Sequence, residues 1–250
     1  MSWAAYVREF HAERPGITEE VLRYSRDRYS VDPYQWLLAA APGSGRVLDL
    51  ACGSAPLGTE LAATHTVVGM DSAFAELQAA RRSRQETLVL GDAAAIPLAT
   101  ASVDLVVCSM ALMILSPLLS VLTEIRRVLR PNGTLIAMVP ARGPLRIKDL
   151  PLIAGLMAAL GRRLGYPADR ALRRISDAFG HAGLELFSDE QRRFGYRLHA
   201  QADADRFLDS LYLPGITRTR GRMGRRYLRL LARSEQELPI PLRRIVAMAR

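Results

Sequence analysis

The chain has 250 residues, 49% of them apolar and 24% charged, a globular balance that excludes disordered, collagen-like and coiled-coil proteins. This length buries a full core without a disulfide or metal staple, and only two cysteines, Cys52 and Cys108, suit a reducing compartment. The formal net charge is +9 and unevenly placed: residues 1–140 hold 12 basic and 14 acidic side chains, residues 141–250 hold 22 and 11.

Such a surplus bears on solubility and encounter, not on fold. Lys148 is the only lysine in an Ala- and Arg-rich chain, a bias that a GC-rich genome produces as readily as phosphate binding does. The longest apolar stretches, around residues 103–122 and 150–160, are broken by Asp, Ser, Pro or Gly and fall short of the ~18 residues of a spanning helix. The opening MSWAAYVREF lacks a basic segment followed by an apolar one, so no leader peptide is expected. The expectation is a soluble cytoplasmic protein with no membrane span.

Residues 1–40 read as helical and carry much of the aromatic content, including Trp3, Tyr6, Phe10, Tyr24 and Trp36. From Arg46 to Pro140 short apolar runs alternate with helical stretches, the pattern of βαβ units on a parallel sheet. The first strand, residues 46–50, runs into a small-residue turn over 51–55, and Pro56 sits where a helix can begin. A second strand (66–70) ends at Asp71, and Ser72 is placed to cap a helix over 73–82. A third (87–90) ends in Gly91-Asp92, and a fourth covers 105–108. Ser116 and Pro117 open a helix whose apolar residues (Leu118, Leu122, Ile125, Leu129) recur with a 3.6-residue period. Arg130–Gly133 stops it, and 134–139 is the fifth strand. Near-continuous apolar strands imply helices on both sheet faces. Further on, helices are expected over 147–164, 170–182 and 202–213, strand pieces over 184–187 and 196–200, an Arg-rich stretch over 218–233 that reads as a solvated helix face or a mobile lid, and a last strand over 244–249. The fold class expected is α/β: a Rossmann-like, mostly parallel, seven-stranded sheet with helices on both faces. Residues 1–40 form an N-terminal helical cap and 41–250 the main domain, with substrate-lid insertions near 145–170 and 200–235.

In an open parallel sheet, ligands bind in the crevice at the carboxyl ends of the strands. Asp49, Asp71 and Asp92 finish or follow the first three strands, and Asp71 lies 22 residues beyond Asp49, close to the ~20-residue spacing of a ribose-binding acid. A dinucleotide would set its pyrophosphate against Asp49 and would want glycines where Ala51 and Ala55 stand. S-adenosylmethionine has no phosphate and brings an ammonium and a sulfonium, so the sign of the charge favours it. Each aspartate alone is equally a turn former or helix cap; their shared spacing is what points to a ligand.

The segments VLDLACGSAPLG, VVGMDSA, LGDAAAIPLATASVDLVVCSMALMIL and LTEIRRVLRPNGTLIAMVP resemble, in order and spacing, the class I S-adenosylmethionine-dependent methyltransferases. They are similar in particular to the branch of ubiquinone and menaquinone methyltransferases and small-molecule tailoring enzymes. The resemblance covers about residues 45–140. It implies that Asp49, Ala51 and Gly53 line the methionine end of the cofactor, and that Asp71 takes the ribose hydroxyls with Ser72 beside it and Met70 under the adenine. It also implies that Asp92 and Ala93 take the adenine edge, and that Ser109 offers its backbone carbonyl to the ammonium. Ala51 and Ala55 replace the first and third glycines of the family's loop, and Met113 stands where many relatives have a histidine.

The function this implies is S-adenosylmethionine-dependent methyl transfer to a small aromatic or heterocyclic metabolite, in specialised or quinone metabolism, with S-adenosylhomocysteine as product. Tyr6, His11 and Tyr24 on the covering segment are the candidate bases, if the acceptor needs one. The histidines, His11, His65, His181 and His199, have no partner at metal-ligand spacing, so no metal site is expected. Two alternatives stand beside this reading. An RNA methyltransferase would explain the basic second half, but no nucleic-acid module is visible, and the D/N-P-P-Y/F/W tetrapeptide of amino-group methylases is absent. A non-catalytic S-adenosylmethionine-binding protein would explain Ala55 and Met113.

Overall fold

The computed structural model describes residues 2–82 and 87–250. Three short helices come first: α1 (Trp3–Glu13), capped by the Ser2 hydroxyl accepting from the Ala5 amide, α2 (Ile17–Arg23), and α3 (Pro33–Leu38). Between α2 and α3 lies a two-residue strand, β1 (Ser25–Arg26). α3 begins where the sequence dictates: Asp32 and Gln35 form a reciprocal capping box and Pro33 occupies the first turn, where its missing N–H costs nothing.

The parallel unit follows as β2 (Gly45–Leu50), α4 (Gly58–Ala62), β3 (His65–Asp71), α5 (Phe74–Arg82), β4 (Leu88–Leu90), β5 (Val103–Ser109), α6 (Leu118–Val128) and β6 (Leu129–Pro140). α7 (Asp149–Leu160), α8 (Asp169–Arg173) and α9 (Ile175–His181) lead to β7 (Leu184–Arg197). Then come α10 (Gln201–Asp209), α11 (Arg218–Ala232) and β8 (Glu237–Ala249). The sheet order is β1-β7-β8-β6-β5-β2-β3-β4. β2 through β6 pair in parallel, while β8 runs antiparallel to both β6 and β7.

Three expectations change in detail. The sheet has eight strands because β1 pairs antiparallel with the outer edge of β7. The two strand pieces at 184–187 and 196–200 are one strand, since β8 pairs along it from Leu184 to Arg197 with a single register shift at Phe187. The helix over 170–182 is interrupted at Arg174, whose ψ of +51° is not helical.

Alternate residues of each central strand face opposite layers, as a two-sided sheet requires. Leu48, Leu50, Val106, Cys108, Leu135 and Ala137 join α6 and α9 on one side; Val47, Leu105, Val107, Ile136 and Met138 meet α3 and α4 on the other. Residues 1–40 take part in both layers: Phe10 belongs to the first cluster, Trp36 and Leu37 to the second. A third cluster joins α2, α7, α10 and α11 to the overhanging ends of β7 and β8, with Leu156, Phe207 and Leu228 packed against Tyr196, Leu198 and Leu238. This overhang continues past Pro140, the last paired residue of β6, so its helices stand at the carboxyl end of the parallel strands.

Chain direction fixes where a ligand site belongs. From β2 the chain moves outward through β3 and β4, then returns to β5 and β6 on the other side, so the crevice opens at the carboxyl ends of β2 and β5. Asp104 is at the opposite end of the sheet. It accepts from the Arg46 amide at 2.8 Å and pairs with Arg130 at 2.6 Å, which makes it a strand tie.

Candidate functional site

β2 delivers Asp49 to the end of the sheet, 2% exposed, and the chain then turns through residues 51–57. The Cys52 amide donates to the Met70 carbonyl and the Ala55 amide to the Cys52 carbonyl. The turn needs left-handed backbone at Ala51 (φ 54°), Gly53 (55°) and Ala55 (57°), a region that suits glycine and strains alanine. Two of the three left-handed positions of the turn are therefore alanines. Met110, just after β5, is also left-handed at φ 56°. Such strain gathers where a loop is held for a purpose.

Asp71, at the end of β3, accepts from the Gly53 amide through Oδ2 and from the Ala73 amide through Oδ1, both at 2.8 Å. Asp71, not Ser72, therefore supplies the turn bond to the Ala73 amide ahead of α5. Glu76, one turn into α5, is 2% exposed. Burial pushes the Asp49 carboxyl up to about 7, helped by the charge of Asp71, and burial raises Asp71 against the two amides that favour its charge. Neighbouring buried carboxylates with raised pKa values are stabilised by an incoming cation. The donor set fits a ligand bearing an ammonium or sulfonium and opposes one bearing phosphates. Burial likewise lifts Cys108 to about 12 and Cys52 higher still, so both thiols stay protonated fillers at neutral pH.

The N-terminal segment covers these acids. His11 Nδ1 lies 2.6 Å from Glu76 Oε1 and its Nε2 lies 2.8 Å from the Tyr212 hydroxyl. A carboxylate only accepts, so the neutral ring carries its proton on Nδ1 and takes the Tyr212 O–H at Nε2. The Gly16 amide donates to both Glu76 oxygens. Gly16 is left-handed at φ 78°, and a Cβ there would come within 3.3 Å of the Ser54 hydroxyl. Ser54 in turn bonds Glu19, which pairs with Arg23 at 2.7 Å, and Arg23 reaches the Pro56 carbonyl. What remains between cover and loop is a cleft of about 100 Å³. Beside it Trp3, Tyr6, Phe10, Tyr166 and Tyr212 form an aromatic cluster, ring centroids 4.7–6.4 Å apart.

Of the residues expected from sequence, Asp49, Ala51, Gly53, Asp71, Ser72, Ser109 and His11 line this one cleft. The Ser109 hydroxyl is buried with no hydrogen-bond partner among the described residues. Met70, Asp92 and Ala93 lie outside its lining. Met70 is core beneath Gly91; Asp92 is exposed and accepts from the Ala94 amide at 2.9 Å; Ala93 is buried in the core. Ala55 is buried and outside the lining too, so its methyl does not narrow the cleft. Tyr6 and Tyr24 do not reach the cleft: the Tyr6 hydroxyl accepts from the Leu213 amide at 2.7 Å, and Tyr24 is 67% exposed. Glu76 and Tyr212 were missed. A glutamate three residues into an amphipathic helix reads as a first-turn acid, and only the fold brings it to Gly16. Among the described residues, no three His, Cys, Asp or Glu gather as a metal site.

Residues 48–137 match the family profile described as a methyltransferase domain. Two curated relatives, the demethylmenaquinone methyltransferases of Mycobacterium sp. strains KMS and JLS, are 37% and 36% identical over 126 residues. The aligned part is 50% of this chain and 54% of theirs, so the chain spans about half the length of the curated relatives it matches. Among solved structures, geranyl diphosphate C-methyltransferase from Streptomyces coelicolor, in complex with Mg2+, geranyl diphosphate and S-adenosylhomocysteine, superposes with TM-score 0.53 at 12% identity, over 87% of this chain and 76% of that one. The YcgJ protein of Bacillus subtilis gives 0.56 at 16% over 86% and 96%, and the cyclase SpnF gives 0.53 at 16% over 86% and 79%. A cyclase on the same fold shows that the fold alone does not fix a reaction. By sequence profile residues 48–137 are similar to a methyltransferase domain, and by architecture the chain shares the fold of the solved methyltransferases above.

Proposed function

We propose that this protein binds S-adenosylmethionine in the cleft between β2, β3 and the N-terminal cover, and methylates a small aromatic or heterocyclic metabolite. The observation that carries the reading is the meeting of Asp49, Asp71 and Glu76 around the left-handed 51–55 turn. Asp71 and Gly53 would hold the ribose side, Asp49, Ala51 and Ser109 the methionine side. Met70, Asp92 and Ala93 serve the adenine only if the outer rim rearranges. When bound, the cofactor supplies a methyl group already activated on a sulfonium for in-line displacement.

The chain's own work is then alignment, exclusion of water and, for a hydroxyl or amine acceptor, removal of a proton. α1 and α2 shield the cleft, and the aromatic cluster offers a flat apolar wall to the acceptor. His11, oriented by Glu76, is the best-placed base: freed from the Tyr212 hydroxyl, its Nε2 faces the cleft as an acceptor. In this reading residues 1–40, 145–170 and 200–235 are the covers of one acceptor pocket, since Tyr166 and Tyr212 come from the latter two. The names of the curated relatives support an acceptor of the quinone type.

The basic surplus that would favour RNA is partly neutralised inside the fold, since several C-terminal arginines have acidic partners: Arg193 with Asp149, Arg206 with Glu20, Arg225 with Asp209, Arg229 with Asp205, Arg243 with Asp189 and Arg244 with Glu190. Calorimetry with S-adenosylmethionine, followed by incubation with labelled cofactor and a panel of naphthols, quinols and a metabolite extract, tests the proposal. Saturable binding lost in Asp71→Ala, with label moving to an aromatic product, is the expected result. Binding without transfer to any acceptor would promote the non-catalytic reading, and no binding would end both.

A further inference from the structure

The Arg-rich helix α11 divides its arginines between two faces. Arg225 and Arg229 pair with Asp205 and Asp209 on α10, while Leu228 and Ala232 enter the core. On the opposite side Arg222, Arg226 and Arg233 recur at helical spacing, exposed and without an ion pair among the described residues. The apolar residues of this outer face are exposed as well: Met223 is 45% and Leu230 58% accessible.

A second exposed segment adjoins it. Arg220 reaches the Ala158 carbonyl and Tyr227 the carbonyls of Pro151 and Leu152, so α7 and α11 run antiparallel. Leu230, one turn beyond Tyr227, therefore lies toward the start of α7. There Ile147 is 90% and Leu150 55% exposed, beside the exposed cations Lys148 and Arg146, the second of which pairs with Glu237 at 3.7 Å; Asp149, the one acid within 146–150, is buried against Arg193.

We propose that this surface, Ile147 and Leu150 with Met223, Arg226 and Leu230, docks the protein on an anionic lipid surface. An interfacial element combines apolar residues that enter the acyl boundary with arginines at the headgroups, and both are present on one face. RNA matches the arginines but gains nothing from exposed Ile and Leu, and single-strand binding uses stacked aromatics that this face lacks. The surface proposal itself does not depend on methyl transfer.

The test is flotation of the full-length protein with 100-nm vesicles of phosphatidylcholine alone and of phosphatidylcholine with phosphatidylglycerol, over a salt series. Binding is expected only to the anionic vesicles and is expected to weaken as salt rises. Each arginine near such a surface contributes about fivefold, so Arg222→Gln/Arg226→Gln should lower partitioning about 25-fold. Ile147→Ser/Leu230→Ser should lower it at high salt as well, where charge is screened. All four positions are exposed, and circular dichroism and the thermal midpoint check that the variants remain folded. Equal binding to neutral and anionic vesicles, no binding at low salt, or unchanged binding by the variants overturns the proposal. So does salt-sensitive binding to single-stranded RNA that ignores Ile147→Ser/Leu230→Ser while vesicles are not bound. None of these outcomes touches cofactor binding.

Discussion

Replacing Asp49 by Asn should make the ligand-free protein more stable at alkaline pH and less able to hold its cofactor. The carboxyl has an ordinary value of 3.8 and titrates near 7 in the fold, because burial and Asp71 disfavour its charge. Below about pH 4 both folded and unfolded chains carry the proton and the site costs nothing. Between 4 and 7 only the folded chain keeps it, so stability falls as pH rises. Above 7 the fold holds a buried charge whose cost, at 1.36 kcal/mol per pH unit over the interval, is about 4 kcal/mol. The unpartnered amide of Asn offsets part of this gain. We expect Asp49→Asn to exceed the parent by about 2–3 kcal/mol at pH 8 and by almost nothing at pH 4.5. Urea unfolding at pH 4.5, 6.5 and 8 reads the difference directly. A second readout is proton release: a cation settling beside Asp49 at pH 6.5 expels its proton, so calorimetric heats in buffers of different ionisation enthalpy should diverge for the parent and coincide for the variant. A stability difference that is flat with pH, or a variant less stable at pH 8, would refute the assignment of a strained acid at this position.

Asp71→Ala removes the acceptor for the Gly53 and Ala73 amides and, in the proposed complex, two charge-assisted bonds to a diol. At about 1.5–3 kcal/mol each for hydrogen bonds to a charged group, cofactor affinity should fall 100-fold or more by calorimetry, with a smaller loss in thermal midpoint. Ala51→Gly relieves left-handed strain of about 1–2 kcal/mol while adding about 0.5–1 kcal/mol of unfolded-state entropy, so urea unfolding should show a gain of about 0.5–1 kcal/mol. Ala55→Gly should be near neutral, because its buried methyl contributes about 0.8 kcal/mol that the variant loses. Tyr6→Phe should cost about 1 kcal/mol of stability through its bond to the Leu213 amide and leave turnover intact, Tyr24→Phe should change neither, and only His11→Ala should lower turnover by a large factor.

The parallel core was legible because its signals are local. Residues 46–50, 66–70 and 105–108 are apolar runs ended by an acid or a small polar residue, and the helix from Leu118 repeats its leucines and isoleucines with one period. The expected and observed strands agree to within about two residues for β2, β3, β4 and β5, whereas β6 begins at Leu129, ahead of the expected 134–139. The antiparallel edge was harder to read. β7 carries Ser188 to Arg193 in its middle, a polar run whose pairing depends on arginines 54 residues away in β8, and β8 contains Pro239 and Pro241, which ordinarily argue against a strand. The site divides in the same way. Asp49 and Asp71 announce themselves at strand ends, whereas Glu76 and Tyr212 matter only through contacts spanning 65 and 201 residues. Asp92 has the right sequence position, but the turn to the Ala94 amide leaves it at the surface.

Closure of the cleft sets the final expectation. About 100 Å³ is below the ~300 Å³ at which ligand pockets begin, so the proposed cofactor should need α1 and α2 to lift from the 51–57 turn. Two kinds of tie resist this movement. The buried one, His11 and the Gly16 amide on Glu76, belongs to the site and should reform around the ligand. The other, Glu19 on Ser54 and Arg23 on the Pro56 carbonyl, lies along the lining of the cleft and acts as a latch. Partly exposed pairs of this kind contribute about 0.5–1 kcal/mol, so Glu19→Gln/Arg23→Ala should speed cofactor association roughly two- to fivefold and leave global stability almost unchanged. Stopped-flow fluorescence can follow the change at Trp3, which sits in the aromatic cluster on the lifting helix. Association that is unchanged while stability falls would make these residues ordinary surface supports, and the opening would then have to occur at Tyr212 and the α10 side.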